Sequence, residues 1–160
     1  MRAISLWQPW ASLIEAGAKP FETRSWSTDY RGPLVICAAK GGLRKAELLE
    51  ILADEDFQNA LSPLLGLSLD LNVFEFADRA IDLLPRGKAL CTVELIACWE
   101  TDGMTPEHIG NCEPFGDFRP GRYAWELANV KPFAEHFPVI GLQGFFSVEI
   151  PGEKRQMALF

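Results

Sequence analysis

The stretch "QPWASLIEAGAKPFETRSW" (residues 8–26) sets a short helix directly before a strand. Pro9 stands where a helix takes its first residue and Gly17 just past its end, with the mostly apolar "PWASLIEA" starting at Pro9. Pro20 then disfavours helical backbone at Lys19, so "KPFETRSW" resumes as an extended segment. Alternation along a strand places Glu22, Arg24 and Trp26 on one face and Phe21, Thr23 and Ser25 on the other. The glutamate and arginine are thus aligned on one face instead of scattered around a turn.

Outward from this stretch, the chain alternates between strands and one helical block. "AISL" before it, and "LVICAA" (34–39), "ALCTVELIACWE" (89–100), "RYAWELANV" (122–130) and "FFSVEI" (145–150) after it, are rich in β-branched or aromatic residues and bounded by Gly, Pro or Asp. In "RYAWELANV" the apolar face is Tyr123, Trp125 and Leu127, which sends Arg122, Ala124 and Glu126 to the opposite one. Arginine and glutamate on one face suit either salt bridges on the rim of a small barrel or a wet cleft. Between the early and late strands, "GGLRKAELLEILADEDFQNAL" and "LNVFEFADRAIDLL" read as amphipathic helices, with "SPLLGLSLD" as their connector. The expected organisation is one mixed, strand-dominated domain over residues 1–160, with a helical insertion at about 43–84.

Charge is unevenly spread along this plan. The net charge is −7, which argues against broad, sequence-blind duplex binding. Residues 1–45 nevertheless carry seven bases against three acids, whereas residues 46–85 carry nine acids against Arg79 alone. The 8–26 stretch lies in the only net-positive third. No apolar run reaches the ~18 residues of a membrane span, and Gln8, Pro9 and Glu15 interrupt the N-terminus as a signal peptide, so a cytoplasmic protein is expected. Cys37, Cys91, Cys98 and Cys112 show no C-x-x-C spacing, and three sit in apolar segments as small buried thiols. His108 and Cys112 are spaced for one helical face, but Gly and Pro break "HIGNCEP" and a structural zinc wants four ligands. Neither a metal nor a cofactor is expected.

Trp7, Gln8, Pro9, Trp10, Ala11, Ser12 and Leu13, then Gly17, Lys19, Glu22, Arg24, Ser25 and Trp26, then Tyr30, Arg31 and Gly32 together resemble the activating signal cointegrator homology, or ASCH, domain family. The family motif G-x-K-x-x-E-x-R is matched by Gly17, Lys19, Glu22 and Arg24. The likeness continues through "PRGKALCTVEL", "FGDFRPGRYAWEL" and "GLQGFF". It implies an α+β fold: a PUA-like mixed β-barrel with a short N-terminal helix, the acidic helical segment packed on it and away from a cleft lined by the motif.

The resemblance implies two kinds of function. One is a binding module for RNA, single-stranded nucleic acid or a nucleotide-like ligand. There Lys19, Arg24 and Arg122 supply cations, Glu22 and Glu126 supply acceptors or orient the cations, and Trp26 or Trp7 offers a stacking surface. The other is a small hydrolase of modified nucleosides or RNA. Family members that are acetylcytidine amidohydrolases use the motif lysine, a threonine three residues later and a distant glutamate. Lys19 matches the lysine, but Glu22 occupies the threonine position, and Thr23 is expected on the other face. Glu126 or Glu113 would be the distant glutamate, and Lys19 and Glu22 the catalytic pair, with Glu22 as a base for water. A protein-interaction domain is a third reading if Trp7 and Trp10 are exposed; both are expected in the core.

Overall fold

The computed structural model describes residues 1–153, so the end of the expected 1–160 domain lies outside the described residues. The elements in chain order are β1 (Arg2–Leu6), α1 (Trp10–Glu15), β2 (Phe21–Arg24), β3 (Gly32–Ala38), α2 (Lys45–Leu52), α3 (Glu55–Leu65), α4 (Val73–Leu83), β4 (Lys88–Glu100), β5 (Tyr123–Pro138) and β6 (Phe146–Ser147), with short helical turns between β4 and β5. The strands form one sheet in the order β2-β5-β4-β3-β1-β6. Only β1 and β3 pair in parallel; the other neighbours are antiparallel.

The fold is a mixed α+β one, as expected, but the sheet is not closed as a barrel: β2 and β6 stand at its two ends without bonding to each other. Side chains span part of the seam instead. Arg24 Nη2 donates to the Ser5 carbonyl of β1 at 3.2 Å, and the Trp26 ring meets Trp125 and Phe145 edge-on.

Of the three apolar clusters in the fold, two form the layers that position the site. The curved inner face of the sheet buries Ile4, Ile36, Val93, Leu95, Trp125 and Leu127. Against the outer side, α2, α3 and α4 pack through Leu48, Leu52, Leu61 and Phe76, in one cluster with Phe21, Phe115 and Ala124. Ala124, read as facing away from the core, is therefore fully buried under this second layer. The short α1 lies between the layers, giving Ala11 and Ile14 to one and Leu13 to the other. Gln8 secures its start. The Gln8 Oε1 accepts from Ser12 N, an otherwise unpaired first-turn donor, and its Nε2 donates to Ser12 Oγ and the Pro85 carbonyl.

Some boundaries differ from the sequence reading. The first amphipathic stretch is two helices, because Asp54 accepts from Asp56 N and Phe57 N and so caps a new start. That second helix runs through Pro63 to Leu65 and ends at Gly66 in left-handed conformation, leaving a shorter connector. The last strand shortens to Phe146–Ser147, while β5 extends to Pro138, with register shifts against β4 that accommodate its irregular pairing.

Candidate functional site

The unclosed seam is where the cavity lies. A pocket of about 760 Å³ opens between β1 and β2, and Lys19, Glu22, Arg24, Trp26 and Arg122 all border it. Glu126 does not. The cause is register: Glu22 pairs with Trp125 and Phe21 with Glu126, and paired residues share a face. Glu22 and Arg24 therefore lie on the inner face with Tyr123 and Trp125, whereas Glu126 lies on the face of Phe21, where its Oε2 accepts from Trp99 Nε1 at 3.0 Å. Arg122 reaches the pocket from beyond the start of β5, past the end of β2.

Lys19 is buried at the edge of β2. Leu127 N bonds the Pro20 carbonyl, so alternation turns the Phe21 and Thr23 carbonyls toward the open edge of the sheet. Lys19 Nζ donates to the first at 2.9 Å and to the Phe115 carbonyl at 2.6 Å; Arg122 Nη2 donates to the second at 3.4 Å. Burial lowers the Lys19 pKa from its ordinary value, while the nearby Glu22 charge opposes the shift.

Glu22 is 7% exposed, and its Oε2 has no hydrogen-bond partner among the described residues. Among the described residues no hydrogen bond or ion pair joins it to Lys19 or Arg24, although its charge acts on Lys19. The main-chain carbonyls position Lys19, and the Ser5 carbonyl positions Arg24, whose guanidinium carbon lies 5.7 Å from the Trp125 ring centre. Glu22 thus brings to the border of the cavity a carboxylate with one buried, unsatisfied acceptor oxygen.

The opposite wall is the loop read in sequence as "FGDFRPGR". Asp117 N donates to Thr23 Oγ1 at 2.9 Å, so Thr23, expected on the far face, borders the pocket as well. Arg119 donates to both Asp117 carboxylate oxygens, and Arg122 Nε lies 3.3 Å from one of them. These contacts, the Arg119 bond first, hold the Asp117 carboxyl at about 2. The pocket wall thus carries three cations, Lys19, Arg24 and Arg122, against two carboxylates, Glu22 and Asp117.

Aromatic and apolar surface completes the lining. Trp10 packs between the two layers, but Trp7 is 51% exposed at the mouth, against the expectation of a core position. Ile51 and Phe57 bring the helical layer to the pocket, so that layer borders the cleft, yet none of its acidic residues lines it. Their contribution was not legible in sequence, since helical periodicity marks a buried face without saying what it covers. At the loop, Cys112 Sγ donates to the Ile109 carbonyl and the His108 ring stands edge-on to Phe21 and Trp99. Among the described residues, no group of three or more His, Cys, Asp or Glu is placed to hold a metal.

The open-ended mixed sheet and its motif-lined cleft are accompanied by a family signature in the sequence. The sequence signature of the ASCH domain matches residues 4–137, and the chain belongs to the ASCH domain family. No match is found among curated proteins. Among the described residues, no helix is long and apolar enough to cross a membrane.

Proposed function

We propose that the cleft binds a base of RNA, of single-stranded nucleic acid or of a nucleotide-like ligand. The observation that carries this reading is the buried, unpartnered carboxylate oxygen of Glu22, a residue that lines the same cavity as Arg24. The base of a nucleotide offers an amino or imino N–H to such an acceptor, and the nucleotide's phosphate answers the cation. Membership of the ASCH domain family supports the same reading. Hydrolysis is less well supported, because Glu22 stands at the threonine position and the Lys19 amine already serves two carbonyls.

The test is a tryptophan-fluorescence titration with nucleotides and short single-stranded RNA, repeated in rising salt and with duplex DNA as competitor. Saturable binding that weakens with salt, and that Glu22→Gln and Arg24→Ala each reduce, supports the proposal. Binding indifferent to both substitutions refutes it.

A further inference from the structure

The cavity does not end at Arg24. Beyond that side chain lies a second chamber of about 630 Å³, bounded by Ala39 and by the loop carrying Leu142 and Gln143. Arg24 and Trp7 border both chambers. The loop is seated closely on β1: a Cβ at Gly141 would come within 3.0 Å of Ser5 Oγ.

Arg24 therefore stands at the junction. Its bond to the Ser5 carbonyl uses one of the five N–H donors of a guanidinium and fixes the group without saturating it. Among the described residues no carboxylate forms an ion pair with it, whereas Arg119 and Arg122 both pair with Asp117. A positioned cation with no ion-pair partner among the described residues, flanked by two chambers, matches an anion joining two bulky groups. The first chamber is bordered by Glu22, whose carboxylate has a buried, unpartnered oxygen. The second has an exposed mixed lining, with Leu142 62% exposed beside Gln143, and the half-exposed Trp7 ring at its border.

Resting on the reading of the first chamber as a base site, we infer that the ligand is a dinucleotide unit of a single strand. One base sits against Glu22, the phosphodiester against Arg24, and the neighbouring nucleoside in the second chamber. A mononucleotide fills only the first two positions.

The experiment compares the 3′-monophosphates of adenosine, cytidine, guanosine and uridine with ApA, CpC, GpG and UpU, by fluorescence titration of the wild type, Ala39→Phe, Leu142→Glu and Arg24→Ala. At least one dinucleotide is expected to bind about tenfold tighter than its mononucleotide, the gain of one further stacked base. Ala39→Phe should erase that gain and leave mononucleotide affinity unchanged; Leu142→Glu, in the exposed loop, should reduce it and serves alone if the first variant does not fold. Arg24→Ala should weaken both ligands. Equal affinity of mononucleotides and dinucleotides in the wild type, or a gain that survives both chamber variants, overturns the dinucleotide inference and leaves the base site standing. Absence of binding by either class overturns both.

Discussion

Lys19 Nζ lies 2.6 Å from the Phe115 carbonyl, 96 residues further along the chain. This contact ties the open edge of β2 to the loop that forms the opposite wall of the cleft, and a second bond to the Phe21 carbonyl holds the amine at that edge. The motif lysine is therefore part of the architecture of the pocket as well as of its lining. A hydrogen bond from a charged donor contributes about 1.5–3 kcal/mol, and burial of the amine opposes it.

Lys19→Met keeps most of the unbranched side chain, one atom shorter, and removes the donor. The expected result is a loss of about 1–3 kcal/mol in unfolding free energy, the cost of leaving a buried carbonyl without a partner. Hydrogen exchange at Asp117, whose N–H bonds Thr23 Oγ1, should quicken by roughly tenfold or more as the wall loosens, in line with a weakened local contact. An unchanged exchange rate at Asp117 would mean that the loop is held by other contacts.

Trp125 is fully buried at the centre of the inner layer, against Trp26 and Phe145. Trp125→Ala should cost ~3–5 kcal/mol in chemical denaturation, the usual penalty for truncating a large core aromatic. A loss under about 1 kcal/mol is incompatible with this packing.

The Asp117 carboxyl is depressed from 3.8 to about 2 by its bonds with Arg119 and the charge of Arg122. A depressed folded-state pKa means that its stabilisation is fully present above 3.8 and disappears as pH falls through the window down to about 2. The stability difference between wild type and Asp117→Asn should therefore be constant from pH 7 to about pH 5 and shrink below pH 4. Denaturant titrations at pH 7, pH 4 and pH 2.5 read this directly; a difference that grows on acidification contradicts the assigned ionisation.

The residues of the cleft were more legible than the way they meet. Pro9, Gly17 and Pro20 punctuate the chain so clearly that α1 and β2 fall where the sequence puts them, and alternation assigns Glu22 and Arg24 to one face. What alternation cannot provide is register between strands distant in sequence. Pairing Glu22 with Trp125 turns Glu126 to the other side, although alternation holds within each strand. Trp7 and Ala124 depart from their expected environments for a related reason. Exposure depends on which layer covers a face, and Ala124 lies beneath the helical layer while Trp7 borders an open seam. Asp117 and the Phe115 carbonyl lay in a segment without periodicity, where only the resemblance to a family drew attention.

Glu22 separates binding from catalysis. Its buried Oε2 has no partner, so Glu22→Gln removes an unsatisfied charge while losing the attraction to Lys19; these opposing effects should leave the unfolding free energy within about 1 kcal/mol of wild type. If the carboxylate accepts from a bound base, ligand affinity falls by ~1.5–3 kcal/mol, the worth of one charge-assisted hydrogen bond. If instead it activates water, binding persists and turnover drops by ~10²–10⁴-fold. Hydrolysis of acetylcytidine by the wild type, Glu22→Gln, Glu22→Thr and Lys19→Ala, measured beside nucleotide binding, distinguishes the two. The geometry leads us to expect little or no turnover by the wild type and a binding defect in Glu22→Gln. Robust wild-type turnover that vanishes in both Glu22→Gln and Lys19→Ala would make the cleft an active site, with Glu22 as the base and Lys19 beside it.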